Sequence, residues 1–319
     1  MKPAHVIHID TDPGLDDLLA LGLALASPEL RIAGISTVAG NAGLESVTRN
    51  AAGFLELAGA DLPLGRGAAG PLGLSATRAE SVHGADGRGG LPLPPGGVPV
   101  ESALEVFRRS VERESADTLL ALGPLTNVAQ WLEREPELFR DLRIVWMGGT
   151  RGDGNVTPVA EFNSFADPHA LAAVLEAGVP TWIVGLEVTT RVRVRPAALS
   201  ERGLGRGPLG RFLEGALSAL ARKEGALART EGVRGGEGFA TLHDPCAVAA
   251  LIFAEGFRFE DCSLQVAVTE GPERGRLRED PRAQAPRHRY ATQVNAEAVK
   301  ALILDRLADL AVRSAREGV

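Results

Sequence analysis

The 319-residue chain has little of several residue types, and each shortage excludes a class of protein. The two cysteines, Cys246 and Cys262, are too few for a disulfide framework and lack metal-site spacing, which fits a reducing cytoplasm. Only three of the 34 basic residues are lysines and no basic stripe stands out, so nucleic-acid binding has little support. The longest apolar runs are shorter than a membrane span, and a first strand beginning by Val6 leaves no room for a signal peptide. We therefore expect a soluble, cytoplasmic protein.

Apolar residues make up 45% of the chain and charged residues 24%, with a net charge of −7, as in ordinary globular proteins. Runs typical of buried strands alternate with runs typical of helices. The predicted strands are at 6–9, 31–38, 117–122, 143–147, 181–186 and 264–269, and the predicted helices are at 18–26, 44–58, 102–114, 168–177, 243–253 and 296–315. This alternation predicts a Rossmann-like α/β fold, with a mostly parallel central sheet and helices on both faces. No linker or repeat divides the chain, so we expect a single domain spanning residues 1–319.

Two long segments interrupt the alternation. Residues 67–99 contain nine glycines and five prolines, which predicts a long loop, and loops of that length are usually functional or mobile. Residues 196–240 are rich in glycine and arginine around one predicted helix at 209–225. We expect this second segment to be a mobile insertion, or lid, near the functional site.

Four carboxylates lie within eight residues near the start of the chain, at Asp10, Asp12, Asp16 and Asp17. An apolar run precedes them and another follows Pro13-Gly14, which predicts a strand, a turn and a buried helix. The carboxylates therefore lie where a strand ends and a helix begins, the usual ligand-binding position in α/β sheets. Because like charges so close together repel one another, a bound cation is the simplest remedy. Oxygen donors without Cys or His between them favour a hard ion, Ca²⁺ or Mg²⁺.

Other predicted strands are also followed by polar residues. These are Asn41, Thr126 with Asn127, and the residues from Asn155 to Asn163, while a later helix opens with His243-Asp244. In a parallel sheet the carboxyl ends of the strands share one edge, so these residues are expected to converge on one crevice.

The chain resembles the nucleoside hydrolases of the inosine–uridine-preferring type, first of all in Asp10-Thr11-Asp12-Pro13-Gly14-Leu15-Asp16-Asp17. The resemblance continues in family order through Thr37-Val38-Ala39-Gly40-Asn41, Val82-His83-Gly84, Gly123-Pro124-Leu125-Thr126-Asn127, Met147-Gly148-Gly149, Ala160-Glu161-Phe162-Asn163 and Leu242-His243-Asp244-Pro245. It covers most of the chain, and the ordered set of motifs is far more specific than any one of them. It implies the nucleoside hydrolase fold.

The resemblance further implies a Ca²⁺ ion held by Asp12, Asp17, Asp244 and the backbone carbonyl of Thr126. Water and the ribose 2′- and 3′-hydroxyls would complete its ligands, which suits calcium because it accepts about six to eight oxygens in flexible geometry. The implied reaction is hydrolysis of the N-glycosidic bond of ribonucleosides to ribose and free base. A metal-bound water would attack after Asp16 takes its proton.

Further roles follow from the same resemblance. Asp10 would orient the metal ligands from behind. His243 would protonate or hydrogen-bond the departing base. The residues expected around the substrate are Asn41, Asn155, Glu161 and Asn163 as ribose ligands, Phe162 and Met147 as its lining, and His83 near the ribose or base. From the residues alone, asparagines beside glycines suit turns equally well, and His83 is equally well a plain loop histidine.

Three alternatives stay open at this point. The acidic cluster suits an N-cap and turn, although four aspartates and a distant His-Asp exceed what that motif needs. A strand followed by Asp-x-Asp also resembles the start of the Mg²⁺-dependent haloacid-dehalogenase phosphatases, but here Gly14 stands where that family has Thr or Val. A Ca²⁺-dependent riboside-binding protein without turnover is the third alternative, and the retention of Asp16 argues against it.

The chain departs from the resemblance in the segment before His243. Inosine–uridine hydrolases often place tyrosines there to contact the base, whereas residues 221–241 contain none and Tyr290 is the only tyrosine. That segment offers Arg222, Arg229, Arg234 and Phe239 instead. We therefore predict ribose as the sugar and leave the base open, a modified base included. The resemblance also implies a homodimer or homotetramer.

Overall fold

The computed structural model describes residues 4–73, 86–202, 207–230 and 238–317. Its strands are β1 (His5–Thr11), β2 (Leu30–Thr37), β3 (Leu64–Arg66), β4 (Val100–Ser102), β5 (Thr118–Ala121), β6 (Arg143–Met147), β7 (Thr181–Val184), β8 (Arg193–Val194), β9 (Ala240–Thr241), β10 (Phe257–Cys262), β11 (Leu264–Val266), β12 (Leu277–Glu279) and β13 (His288–Val294). Its α-helices are α1 (Leu15–Ala26), α2 (Leu44–Ala58), α3 (Ala103–Glu112), α4 (Thr126–Arg134), α5 (Phe162–Ala166), α6 (Pro168–Glu176), α7 (Leu186–Thr189), α8 (Pro208–Thr230), α9 (His243–Ile252) and α10 (Ala296–Glu317).

Within the described ranges, nine strands form the main sheet, in the order β10-β13-β7-β6-β5-β1-β2-β3-β4. All neighbouring pairs run parallel except β10 and β13, which are antiparallel at one edge. The remaining strands pair as two separate antiparallel ribbons, β11 with β12 and β8 with β9. The predicted α/β fold with a mostly parallel central sheet is therefore confirmed.

Each face of the sheet carries its own apolar cluster, and the strand residues alternate between them, as the two-residue period of a strand requires. In β6, Val145 and Met147 belong to the cluster that includes α1, α8, α9 and α10, whereas Ile144 and Trp146 belong to the cluster under α3, α4 and α6. Helices thus cover both faces, which confirms the prediction.

Helix α1 is buried on nearly all sides because other helices cover its outer surface. Gly22 marks the closest approach, since a Cβ there would lie 3.1 Å from Leu307 of α10 and 3.6 Å from Leu213 of α8. After its first turn α1 is apolar on all sides, and such a helix is stable only inside a protein. This packing holds the start of α1, with its two aspartates, in a fixed place.

Two differences from the sequence prediction concern the second half of the chain. The antiparallel edge strands β10 and β13 were not predicted, and the predicted strand at 264–269 is the short β11, outside the main sheet. In the expected lid, helix α8 buries Leu209, Phe212 and Leu213 in the core, so its first half is part of the fold. Mobility of residues 196–240 stays a prediction.

No helix among the described residues is both long and apolar enough to cross a membrane.

Candidate active site

The predicted site residues of the first motif lie at the carboxyl edge of the sheet, between the end of β1 and the start of α1. Thr11 ends β1 and Leu15 begins α1, so Asp12-Pro13-Gly14 forms the whole connection. The ends of β2 and β5 flank β1 on either side, which brings the polar residues after all three strands to one edge, as predicted.

Asp17 is the most fully hydrogen-bonded carboxylate of this edge. Its Oδ1 accepts from the Thr11 hydroxyl at 2.6 Å and from the backbone N–H of Asp12 at 3.2 Å. Its Oδ2 accepts from the backbone N–H of Gly14 at 2.9 Å and from the Asn41 side-chain amide at 2.8 Å. Because Gly14 is the N-cap of α1, Asp17 does close the turn as the N-capping interpretation expects. That interpretation accounts for Asp17 alone among the four aspartates.

Asp12 is enclosed by two glycines. A Cβ at Gly40 would lie 2.1 Å from its Oδ2 and a Cβ at Gly123 2.6 Å from its Oδ1, so only glycine fits at either position. Asp12 Oδ2 accepts from the backbone N–H of Asn41 at 2.6 Å. Its Oδ1 is buried and has no hydrogen-bond partner.

Asp16 joins the start of the chain to the amino end of α9. Its Oδ2 accepts from the backbone N–H of His243 and from that of Asp244, both at 3.0 Å. The amino end of a helix favours a negative charge, so this oxygen has a favourable place. Its Oδ1, like Oδ1 of Asp12, is buried without a hydrogen-bond partner.

Each carboxyl group at this edge makes ionisation of its neighbours less favourable, because like charges repel one another. Burial, and then the charge of Asp17, raises the pKa of Asp12 well above its usual range. Burial also raises the pKa of Asp16 well above its usual range, with Asp17 adding to the effect. The pKa of Asp244 is raised in the same way by burial and by its three aspartate neighbours. Asp12, Asp16, Asp17 and Asp244 therefore share one small, desolvated space.

This donor set fits a hard cation. Buried carboxylates normally have a positive partner, because desolvation penalises an unpaired charge. Here two carboxylate oxygens are orphaned instead. Within the described ranges, no three His, Cys, Asp or Glu side chains are spaced to hold a metal ion as they stand. The calcium site thus stays a prediction, and it requires the carboxylates to adjust their positions.

Asp10 lies behind this group and reaches it through Asn127. Its Oδ1 accepts from the Ser36 hydroxyl and, at 2.8 Å, from the Asn127 side-chain amide. Burial raises the pKa of Asp10 to about 7, although both hydrogen bonds oppose that shift. Asn127 follows Thr126, whose hydroxyl donates to Asp167 at 2.6 Å. Asp10 thus supports the turn at the end of β5, and its role in orienting metal ligands stays a prediction.

His243 begins α9 and is half-buried at the site. Its Nδ1 lies 2.8 Å from the hydroxyl of Thr189. Burial lowers the pKa of His243 to about 4, so the ring is neutral at neutral pH. A neutral imidazole donates a hydrogen bond from one nitrogen and accepts one at the other.

The predicted ribose residues after β6 already have structural partners. Glu161 caps α5, accepting from the backbone N–H of Asn163 at 2.8 Å and from that of Gly149 at 2.8 Å. Burial raises the pKa of this carboxyl. The Asn163 amide donates to the carbonyls of Leu122 and Met147, at 2.9 and 3.0 Å, and so joins the ends of β5 and β6.

The other predicted substrate residues are placed less uniformly. Asn41 uses its amide N–H₂ on Asp17 and on the Asp12 carbonyl, so it supports the acidic cluster directly. Asn155 is exposed and accepts from the backbone N–H of Phe162 at 2.9 Å, which is turn chemistry. Phe162 is half-buried, and Met147 is a core residue, 3% exposed. His83 lies outside the described residues.

Sequence reasoning missed Glu187, which organises the loop after β6. Its Oε1 accepts from the Thr150 hydroxyl at 3.1 Å and from the backbone N–H groups of Arg151 and Gly152 at 2.7 and 3.0 Å. Its Oε2 accepts from the hydroxyl of Tyr290, which is fully buried. The only tyrosine of the chain therefore supports a loop and is not an exposed contact for the base. A glutamate directly after the end of the predicted strand at 181–186 was the available signal.

The segment before His243 presents Phe239, which is 37% exposed, with the Arg193 guanidinium 5.1 Å from its ring centre. Glu224 of α8 accepts from the backbone N–H of Thr241 at 2.6 Å and from its hydroxyl at 2.9 Å. These contacts tie α8 to the strand that leads into His243. Arg229 and Arg234 lie among residues whose side chains the structure does not describe.

The ordered motifs and this geometry agree with one family of proteins. The family model described as inosine-uridine preferring nucleoside hydrolase matches residues 7–301. This chain belongs to the nucleoside hydrolase family. It is an N-ribohydrolase by membership, which confirms the resemblance stated above and sets aside the phosphatase interpretation.

Known nucleoside hydrolases are similar to the chain over most of its length. The non-specific ribonucleoside hydrolase RihC of Shigella boydii is 38% identical over 270 residues, which cover 82% of this chain and 83% of that protein. The pyrimidine-specific ribonucleoside hydrolase RihA of Klebsiella pneumoniae is 40% identical over 257 residues, covering 79% and 80%. A solved purine-preferring ribonucleoside hydrolase from Gardnerella vaginalis matches with a TM-score of 0.86 and 27% identity, over 96% of this chain and 99% of that one. These nucleoside hydrolases are named for three different base preferences, so similarity leaves the base open.

Proposed function

We propose that the chain hydrolyses the N-glycosidic bond of ribonucleosides in a Ca²⁺-dependent reaction that releases ribose and free base. The observation that carries the proposal is the pair of orphaned, buried oxygens, Oδ1 of Asp12 and Oδ1 of Asp16, in a space shared by four carboxyl groups. The family supports the reaction, and the donor chemistry supports the ion.

The residues that would hold the ion are Asp12, Asp17, Asp244 and the carbonyl of Thr126. All four are buried at the carboxyl edge of the sheet, and their oxygens are the ligands that Ca²⁺ prefers. When bound, the ion would offset the carboxylate charges, grip the ribose hydroxyls and make a water more acidic. Asp10, through Asn127, would keep the Thr126 turn in place.

Asp16 would act as the base toward the attacking water. Its Oδ2 is committed to the amino end of α9, which leaves Oδ1 to take the proton. The water oxygen would then bond to C1′ as the C1′–N bond breaks, and the bonding pair would leave with the base. A nearby cation would lower the pKa of Asp16 and keep it ionised for this step.

The substrate would lie between the acidic cluster and the loop after β6. Asn41, Asn155, Glu161 and Asn163 would bind the ribose hydroxyls, with Phe162 and Met147 beside the sugar and His83 near the ribose or base. Hydroxyls held more firmly as the sugar flattens toward the oxocarbenium-like state would speed the reaction.

His243 would serve the departing base. Its ring lies at the amino end of α9, directly before Asp244, and is partly accessible. Because the ring is neutral, it would stabilise the leaving nitrogen by donating a hydrogen bond more readily than by giving up a proton. The segment carrying Phe239, together with α8, would form the wall nearest the base.

The test measures ribose released from a panel of purine and pyrimidine ribonucleosides, with and without a calcium chelator. Chelator-sensitive release is expected, and Asp16→Ala should abolish turnover while calorimetry still shows Ca²⁺ binding. Asp141→Asn is the control, since Asp141 is exposed and precedes β6 at the opposite edge of the sheet. Release that is unaffected by chelation, or by loss of Asp16, would contradict the mechanism. Light scattering of the same preparation tests the homodimer or homotetramer that the family resemblance supports.

A further inference from the structure

The hydroxyl of Thr189 lies 2.8 Å from Nδ1 of His243, across 54 residues of sequence. Thr189 is fully buried and closes the short helix α7, which follows the end of β7. Among the described residues, Nδ1 is the only hydrogen-bond partner of this hydroxyl. The Thr189 hydroxyl therefore serves His243 and no other described residue.

Both partners of this hydrogen bond are fixed by the surrounding backbone. Thr189 donates its N–H to the carbonyl of Gly185 at 3.2 Å, and Glu187 of the same helix is bonded to the loop after β6. His243 donates its N–H to Asp16 at 3.0 Å. The ring therefore has one anchor on its backbone and a second on Nδ1, and Nε2 is the ring nitrogen that has no hydrogen-bond partner among the described residues.

The direction of this hydrogen bond decides what Nε2 offers to the substrate. A threonine hydroxyl both donates and accepts, and a neutral imidazole carries one proton on either nitrogen. If the hydroxyl donates to Nδ1, the ring proton must be on Nε2, which then donates to a ligand. If Nδ1 donates to the hydroxyl, Nε2 presents a lone pair, which repels the electron pair that develops on a departing base.

We propose that Thr189 is a positioning residue that donates its hydroxyl proton to Nδ1 of His243 and so holds the ring as the Nε2–H tautomer facing the departing base. The proposal rests on the proposed function, because it deepens the role of His243 there. A hydroxyl suits this task better than a carboxylate would, since it orients the ring without adding charge to the acidic cluster. Among the described residues Nε2 has no hydrogen-bond partner, and it is therefore available to the substrate.

The tautomer is tested directly by nitrogen NMR of the full-length chain labelled with ¹⁵N-histidine. The six histidines are few enough for the His243 signals to be assigned from the spectrum of His243→Gln. We expect a protonated Nε2 and an unprotonated Nδ1 in the wild type and in Thr189→Ser, and a mixture of tautomers in Thr189→Val. A wild-type ring protonated on Nδ1 would overturn the proposal without reference to any variant.

Kinetics separate positioning from a general structural effect. Thr189→Val should lower kcat on a ribonucleoside by about tenfold, the equivalent of one lost hydrogen bond. On 4-nitrophenyl riboside, whose leaving group needs no donor, it should lower kcat by less than about twofold. Thr189→Ser should restore the ribonucleoside rate. Thr190→Val is the matched control, because Thr190 lies next along the chain and donates only to the Leu186 carbonyl.

Equal losses on the two substrates, or no rescue by serine, would overturn the proposal. The proposed function fails separately, if the wild type hydrolyses neither substrate. In that case the NMR measurement still decides whether Thr189 sets the tautomer of His243.

Discussion

Asp16 and Asp244 are joined by a hydrogen bond of 3.0 Å, in which the backbone N–H of Asp244 donates to Oδ2 of Asp16. This bond connects the first turn of α1 to the first turn of α9, and so joins residues that lie 228 positions apart in the chain. It also gives each aspartate a separate task. Asp16 presents its second oxygen to the site, while Asp244 is free to direct its carboxylate at the same space.

Gly123→Ala should damage the site through Asp12. The added Cβ would lie 2.6 Å from Oδ1 of Asp12, which is closer than non-bonded atoms approach, so the carboxylate would have to move. We expect a loss of about 1–3 kcal/mol in the free energy of unfolding and a weakened response to Ca²⁺. Urea denaturation with and without Ca²⁺ measures both effects.

The control for that substitution is Gly70→Ala. A Cβ at Gly70 would meet nothing within 4 Å, so this variant should unfold like the wild type and keep its activity. If Gly123→Ala also behaves like the wild type, then Asp12 tolerates displacement, and the enclosed position that we assign to it is unimportant.

Tyr290→Phe should loosen the loop after β6. It removes the hydroxyl that donates to Glu187, the residue that accepts three further hydrogen bonds from Thr150, Arg151 and Gly152. We expect a cost of about 1–2 kcal/mol in stability and a higher KM with kcat nearly unchanged, because the acidic cluster is untouched. Steady-state kinetics measures KM and kcat, and thermal denaturation measures the loss of stability. A fall in kcat at constant KM would show that the loop acts on the chemical step.

The sequence predicted five parallel strands of the main sheet, though not the short β3 and β4, and it singled out the acidic cluster. The apolar run of β6 is typical of a buried strand, and the Pro13-Gly14 turn followed by the apolar run of α1 is typical of a strand that leads into a buried helix. The carboxylates stood out because four of them in eight residues are costly without a cation. The convergence of Asp16 with Asp244 was predicted from the shared edge of a parallel sheet, and the family resemblance supplied their roles, since nothing local to either residue specifies the other.

The parts that sequence reasoning missed depend on long-range contacts. The pairing of the edge strands β10 and β13 joins residues 26 or more positions apart and has no local signal. Thr189 and Glu187 follow the predicted strand at 181–186 and belong to no motif that the sequence singles out. Their importance comes from His243 and Tyr290, which lie 54 and 103 residues away.

His8 should make stability depend on pH. It is fully buried, hydrogen-bonded on both nitrogens to Ser110 and Ser36 at 2.9 Å, and burial lowers its pKa to about 3. Between that value and its unfolded pKa of about 6.5, only the unfolded chain binds the proton. The contribution of His8 is therefore fully present above about pH 6.5 and is lost as the pH falls toward 3.

The measurement compares His8→Gln with the wild type by urea denaturation. The advantage of the wild type should shrink by about 2 kcal/mol between about pH 7.5 and about pH 5, because the variant has no such proton to bind. His169→Gln, at an exposed position, is the control and should leave the pH dependence unchanged. An advantage that stays constant with pH would mean that His8 binds its proton equally well in the folded and the unfolded chain, which contradicts the prediction.

Asp12→Asn should weaken Ca²⁺ binding and should stabilise the metal-free protein, or leave its stability unchanged. The pKa of Asp12 is raised by burial and by Asp17, so at neutral pH its charge works against folding, and the amide removes that cost while keeping an oxygen for the Asn41 N–H. In chelator, the variant should be at least as stable as the wild type. With Ca²⁺ at about 100 times its Kd, the wild type should gain about 2.7 kcal/mol and the variant much less. Asp141→Asn should respond to Ca²⁺ like the wild type. A variant that is less stable in chelator, yet still stabilised by Ca²⁺, would show that Asp12 is a structural carboxylate and that the ion binds elsewhere.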